Sequence, residues 1–267
     1  MSGKHYETIA GSRTINPEHP LDAWYDLARN DHFWMAWRNQ ALLALFAASQ
    51  APANRPLKVM DIGCGNGTVI ECLENNTQWI IDGVEVDAEA LQRARTGRGR
   101  LLLYDITLRH EPMAQAYDVI YLMDVLEHIP DPAAFLDSAL FHLKPGGYLA
   151  VNVPALQNLH GIYDRASGHL RRYGKATLRA AFNGLDAEVL DIRYWGMSLI
   201  PLVILRELLL SRKSNDSDIL HRGFSPPSRA ANTLLTLIMR METALIKRPP
   251  IGASLMLLAR KRSSGDT

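Results

Sequence analysis

The segment Asp61-Ile62-Gly63-Cys64-Gly65-Asn66-Gly67 sets three glycines at alternate positions directly after the apolar run Leu57 to Ile62. Glycine takes positive φ without steric cost and lets the backbone approach a ligand closely. The run before it reads as a buried strand, and Thr68 to Asn75 reads as a helix. A strand-to-helix turn of this kind aims the free N–H groups of the helix start at an anionic ligand. In an open parallel sheet, ligands bind outside the carboxyl ends of the strands at the point where strand order reverses. This turn therefore asks for an α/β chain.

The rest of the sequence supplies that alternation. Trp79 to Val86, Leu101 to Asp105, Tyr117 to Asp124 and Tyr148 to Val153 read as further strands. Ala88 to Arg95 and Pro132 to Leu143 read as helices between them, the latter opened by Asp131 and Pro132. Ala187 to Tyr194 reads as a sixth strand, and Ser254 to Arg260 as a seventh that closes the C-terminal edge. Strands separated by helices pair in parallel through right-handed crossovers, so the expected fold is a doubly wound, mostly parallel, seven-stranded α/β sheet. Four segments follow: an N-terminal helical segment over 1–56, a core over 57–196, a helical cap over 197–250, and the last strand with its tail over 251–267. Residues 20–50 carry three of the five tryptophans at helical spacings. That helix either packs on the core or forms a lid that turns aromatic groups such as Trp34 toward a ligand.

Bulk composition narrows the partners. Of 267 residues, 29 are Lys or Arg and 28 are Asp or Glu, so no basic excess advertises a nucleic-acid partner. Arg93, Arg95, Arg98 and Arg100 read as a solvated edge, with no interleaved aromatics to stack bases. Two cysteines cannot build a disulfide framework or a four-thiolate zinc site, and no metal site is expected. Met1 to Glu7 lacks the apolar core of a secretory signal, and no apolar run reaches the ~18 residues of a spanning helix. The expectation is a cytoplasmic protein, with a peripheral contact at the inner membrane face left open by the apolar cap.

The glycine spacing separates two cofactor classes. A dinucleotide turn wants Gly-x-Gly-x-x-Gly, whereas this chain reads Gly-x-Gly-x-Gly after Asp61. Glu85 ends the second strand, where a carboxylate can accept both hydroxyls of a ribose, with Val86 beside it and Asp87 placed to cap the next helix. Asp105 and Ile106 follow the third strand; the acid either accepts from an adenine amine while Ile106 packs on the ring, or simply forms the turn. The fourth strand ends in Met123-Asp124-Val125-Leu126-Glu127-His128-Ile129-Pro130, and Leu143-Lys144-Pro145-Gly146-Gly147 follows.

In order and spacing these motifs resemble class I S-adenosylmethionine-dependent methyltransferases of the small-molecule kind, over residues 57–155. The resemblance implies a Rossmann-like sheet and S-adenosylmethionine held by Asp61, Gly63, Cys64, Gly65, Asn66, Gly67, Glu85, Val86, Asp105, Ile106, Met123 and Asp124. Many relatives carry Asp where this chain has Glu85. His32-Phe33-Trp34, the segment Tyr163-Asp164 with Gly168 to Tyr173, and the tail from Pro250 to Leu255 are similar to bacterial methyltransferases associated with envelope-glycan and natural-product pathways.

The acceptor side rests on two histidines, the residue type whose unperturbed charge change lies nearest neutral pH. His128 follows the fourth strand and is either a general base or a residue that orders its loop. His169, with Asp164 five residues upstream, forms either an Asp–His pair facing the acceptor or part of a local salt-bridge cluster with Arg171 and Arg172. Either arginine could grip an anionic acceptor, and Tyr173 lies beside them. The expected reaction is in-line methyl transfer to a small-molecule or lipid- or glycan-linked acceptor, at oxygen. The alternatives are a nicotinamide-dependent oxidoreductase, which needs the later third glycine, and a non-catalytic S-adenosylmethionine-binding module. The helices around Leu199 to Leu210 and Leu234 to Ile246 either bury each other over the site or form a tunnel or membrane-facing surface.

Overall fold

The computed structural model describes residues 5–14, 32–48, 55–210, 219 and 228–263. Its strands are β1 (Glu7–Thr8), β2 (Lys58–Ile62), β3 (Ile80–Glu85), β4 (Leu101–Leu103), β5 (Tyr117–Met123), β6 (Leu143–Pro154), β7 (Ala187–Trp195) and β8 (Ser254–Lys261). The α-helices are α1 (Phe33–Ala48), α2 (Thr68–Asn76), α3 (Ala88–Arg93), α4 (Pro132–His142), α5 (Ile162–Ala166), α6 (Lys175–Ala180), α7 (Ile200–Leu210) and α8 (Arg229–Leu245). All eight strands form one sheet in the order β1-β4-β3-β2-β5-β6-β8-β7. Every pair from β1 to β6 is parallel; β8 runs antiparallel to both its neighbours.

Alternation along the strands divides the core in two. Val59, Ile81, Tyr121, Ala150 and Met256 face α1, α2 and α3, while Met60, Ile120, Leu149 and Leu257 face α4 and α6. Helices on both faces bury both sides of the sheet, which is why its strands read as nearly continuous apolar runs. Order reverses between β2 and β5, so the turns after these two strands meet at one crevice.

Two features differ from the seven-strand expectation. Glu7–Thr8 adds an eighth strand beside β4, too short and too polar to show in the periodicity. The last strand does not close the sheet but inserts between β6 and β7. Ser254 to Ala259 are all buried, as an interior strand requires, whereas β7 alternates between buried and more accessible positions and forms the edge. β6 also begins earlier than expected, at Leu143, so the Pro145-Gly146-Gly147 turn lies within the strand, opposite a register shift in β5.

The expected N-terminal helix is described from Phe33; Trp24 and Leu27 lie outside the described residues, as do the polar segment Ser211 to Asp218 and Pro226-Pro227. The basic cluster between α3 and β4 serves local structure. Arg98 donates to the carbonyls of Glu74, Thr77 and Trp79, Arg100 pairs with Asp82 at 2.8 Å, and Arg95 pairs with Glu71.

The helices α7 and α8 join the rest of the molecule through buried apolar residues such as Leu199, Leu210 and Met239 and through buried polar contacts. Glu242 of α8 accepts hydrogen bonds from the Met197 and Ser198 N–H groups at 2.9 and 2.7 Å and from the Ser198 hydroxyl at 2.6 Å. These are N–H groups that the helical turn leading into α7 leaves without a partner of its own. Asn232 of α8 likewise accepts from the Phe33 N–H at the start of α1. Replacing buried Glu242 with Ala strands those donors, and we expect a loss of about 1–3 kcal/mol in urea unfolding. An unchanged midpoint would show that the Glu242 hydrogen bonds contribute nothing to global stability.

Candidate active site

The turn after β2 is folded by its glycines. Gly63, Gly65 and Gly67 have φ of 75°, 52° and 78°, and the N–H groups of Gly63 and Cys64 both donate to the Val84 carbonyl on β3. A Cβ on Gly63 would lie 2.5 Å from a methyl of Val125 in the turn after β5. The two turns therefore meet with no room for a side chain between them. Cys64 points its sulfur inward, filling the space beside Gly83, and burial pushes its thiol up. Asn66 accepts from the Thr68 hydroxyl at 2.6 Å and so braces the start of α2.

Four carboxylates line the carboxyl edge of the sheet beside this turn. Asp61 is 1% exposed, and neither of its oxygens has a hydrogen-bond partner at bonding distance. Burial drives its pKa up to about 8, against the lowering influence of Tyr121 and Arg38. Glu85 accepts from the N–H groups of Gly65 at 3.0 Å, Val86 at 2.8 Å and Asp87 at 3.2 Å; burial raises its pKa while these bonds oppose the rise. Asp105 accepts from the Thr107 N–H and hydroxyl, the turn-forming arrangement, with Ile106 buried behind it. Residues 12–14 run across this rim: the Ser12 hydroxyl accepts from the Asp105 N–H, and Thr14 bridges Val86 and Ala88.

The fourth carboxylate, Asp124, sits at φ 63° after Met123, which is buried in the core. It receives Arg38 Nη1 at 2.7 Å and Asn152 Nδ2 at 2.6 Å. Asn152 in turn accepts from the Trp195 indole at 2.8 Å, and Trp34 and Trp37 of α1 pack on Trp195 with ring centroids 4.9 and 6.0 Å away. Trp34 thus takes the core-packing arrangement in α1.

The acceptor-side residues converge because the stretch 170–173 docks beside the end of β6 and the turn after β5. Tyr173 exchanges backbone hydrogen bonds with Pro154 and Leu156, its hydroxyl donates to the Leu126 carbonyl, and the Leu170 N–H donates to the Glu127 carbonyl. Asp164 is fully buried and pairs with His169 Nδ1 at 2.8 Å and Arg172 Nε at 2.9 Å. Burial alone would raise the Asp164 carboxyl, but the His169 hydrogen bond and Arg172 hold it well below the usual carboxylate range. Asp164, ionised, accepts from Nδ1 of His169 and so holds the ring with its other nitrogen, Nε2, turned away from that pair. That nitrogen lies 4.0 Å from Oε1 of Glu127, and the His128 and His169 rings stand edge to face at 4.9 Å. Arg172 is spent inside the protein on Asp164 and the Ala155 carbonyl, whereas Arg171 reaches the Pro130 carbonyl at a more accessible position.

A methyltransferase domain model matches residues 25–192, more than half of the chain. The chain belongs to the methyltransferase-domain family. It is 30% identical over 132 residues to a ubiquinone biosynthesis O-methyltransferase of Vibrio vulnificus strain YJ016, covering 47% of this chain and 55% of that one. It is 34% identical over 125 residues to a trans-aconitate 2-methyltransferase of Azoarcus sp. strain BH72, covering 46% and 47%. The chain thus spans about half the length of the curated relatives it matches. Haemonchus contortus phosphoethanolamine N-methyltransferase 2, solved with S-adenosyl-L-methionine, shares the fold at TM-score 0.52 and 17% identity over 84% of this chain and 52% of that one.

The family's cofactor, S-adenosylmethionine, fits the residues present. Asp61 has two buried oxygens without hydrogen-bond partners that could face an ammonium, Gly63 leaves no room for a Cβ at the turn, and Glu85 ends β3 with its carboxylate bonded to the Gly65 N–H. Three contributors escaped the sequence reading. Arg38 is the only charged residue in α1, and a lone arginine among buried aromatics is itself a sign of a buried anionic partner. Asn152 and Glu127 gave no such sign, since each sits in an ordinary strand or turn.

Asp61 yields a signed pH prediction. Between the ordinary carboxylate value and about 8 the folded, cofactor-free protein holds a proton that the unfolded chain releases, so its contribution to stability fades as pH rises through that window. Binding an ammonium requires that proton to leave. S-adenosylhomocysteine affinity, measured calorimetrically, should rise from about pH 6 to about pH 8, and Asp61→Asn should flatten the dependence. A slope that survives in Asp61→Asn assigns the titration elsewhere.

Proposed function

We propose that this chain is an S-adenosylmethionine-dependent methyltransferase that methylates a hydroxyl oxygen of a small acceptor. The observation that carries the reading is the Asp164–His169 pair, brought by the 170–173 stretch to the turn after β5, across from the glycine cradle. Relatives named O-methyltransferase support oxygen as the atom.

The bound cofactor supplies an electrophilic methyl group on a sulfonium. Asp61 holds its ammonium, Glu85 its ribose and Ile106 its adenine, leaving the methyl at the crevice between the turns after β2 and β5. His169, aligned by Asp164, is the group that activates the hydroxyl through Nε2. Orientation of this kind supplies roughly 7–11 kcal/mol of a displacement barrier, and proton removal adds about 10²–10⁴-fold. His169→Ala should lower kcat by about that factor with S-adenosylhomocysteine affinity intact. An unchanged kcat would remove His169 from the mechanism.

The acceptor class extends to lipid- and glycan-linked hydroxyls of the envelope-glycan type. The support is the cap's outer face. Leu205, Leu208 and Leu209 of α7 and Leu234, Leu237, Met241 and Leu245 of α8 are each at least half exposed, and Arg240, Lys247 and Arg248 lie exposed on or just after α8. An apolar stripe with basic residues beside it suits an anionic membrane surface. No helix among the described residues is long and apolar enough to cross a membrane, so this contact is peripheral. Purified protein should co-sediment with anionic vesicles, less so when Leu237 and Met241 are both replaced by Ser. Full recovery in the supernatant would confine the acceptor to the aqueous phase.

A further inference from the structure

We infer that Glu127, His128 and His169 form a binding site for one divalent cation of the zinc or manganese type, at the acceptor end of the crevice. The ligand atoms these three residues offer all lie within 4.8 Å of one another. Glu127 is 0% exposed, and neither of its carboxylate oxygens has a hydrogen-bond partner. Such a group is costly to bury unless something compensates it. The cations closest in chemistry are already committed: Arg38 to Asp124, and Arg172 to Asp164.

The surroundings of the two histidines match those of metal-ligating imidazoles. A ligating histidine usually has its other ring nitrogen held by a carboxylate or a backbone carbonyl. His169 Nδ1 is held by Asp164 at 2.8 Å, and His128 Nδ1 lies 3.2 Å from the Gly168 carbonyl. The backbone bond from Leu170 to Glu127 ties the two loops that carry the ligands into one unit. Two imidazoles and one carboxylate suit zinc or manganese better than magnesium, which prefers oxygen ligands, and three protein ligands leave a coordination position open.

The chemical role of this cation rests on the acceptor site proposed above; its binding does not. A cation there meets the acceptor hydroxyl in place of the bare imidazole. The O–H bond breaks with its proton passing to water. The oxygen lone pair forms the new O–C bond while the S–C bond of the cofactor breaks, its electron pair staying on sulfur. Acceptors with a second oxygen next to the reacting hydroxyl would be favoured, because both can reach one cation.

Chelator-treated full-length protein titrated with ZnCl2 or MnCl2 alone should bind one equivalent, zinc more tightly than manganese. Loss of a partner behind a ligand lowers metal affinity by ~10–100-fold, so Glu127→Gln should lower it by about 100-fold or more. His128→Ala, at an exposed position, tests the same site should Glu127→Gln disturb the fold. S-adenosylhomocysteine affinity, measured on the same samples, reports that the donor half is intact. Absence of saturable binding, or affinity for both cations unchanged in the variants, overturns the site. Methyl transfer that persists in chelator-treated protein and fails in His169→Ala would leave the imidazole as base and remove the cation from the reaction.

Discussion

Arg38 and Asp124 tie the N-terminal helix to the carboxyl edge of the sheet. Their side chains are 5% and 20% exposed and meet at 2.7 Å. Two charges removed from water this far repay their desolvation only when geometry is good and further hydrogen bonds complete them. Asp124 has such a bond from Asn152, and Asn152 is fixed by the Trp195 indole. Through four residues the N-terminal helix is thereby fastened to the ends of β5, β6 and β7. Removing one partner of a buried pair commonly costs about 3–5 kcal/mol, because the other charge is stranded. Here the stranded charge would stand at the crevice itself, so the helix is part of the site's electrostatics and not only of its packing.

The carboxyl edge of the sheet collects more acids than it has cations. Asp61, Glu85, Asp124, Glu127 and Asp164 share Arg38 and Arg172, and the environment sorts them. Asp164, with an arginine and an imidazole, is held low; Asp61 and Glu127, with burial and no hydrogen-bonded partner, are pushed up. Paired acids are structural or orient a neighbour, while the under-compensated ones mark where something positive belongs. On the donor side that is an ammonium. On the acceptor side the proposed cation rests on the convergence of Glu127, His128 and His169.

Much of this was legible in the residues, for identifiable reasons. Strand-to-helix alternation is a periodic signal, so β2 to β6 and the helices between them could be read from it, and the glycine turn announces positive φ at Gly63, Gly65 and Gly67. The place of β8 was harder, since a buried apolar run says that a strand is interior without naming its neighbours. Asp164 and His169 could be paired by spacing, and a local salt-bridge cluster with Arg172 could be read as well, but nothing local shows that Glu127 faces the same point. The approach of Glu127 and His128 to His169 depends on loops meeting across about 40 residues of sequence, which hydrophobic periodicity does not encode.

The two halves of the crevice differ in what supports them. The donor half is built by adjacent parallel strands, whose backbone bonds fix Gly63 and Glu85 whatever the cap does. The acceptor half hangs on α5, which is only five residues long and is held from outside. Glu207 of α7 accepts from the Ile162 N–H at 2.7 Å, and Arg206 lies over the Tyr163 ring at 3.7 Å. A helix so short has little stability of its own. Asp164 is therefore held from two sides, by α7 through the start of α5 and by Arg172, itself bonded to the Ala155 carbonyl. α7 thus braces α5 from outside, while the glycine cradle is built by strand pairing that α7 does not enter.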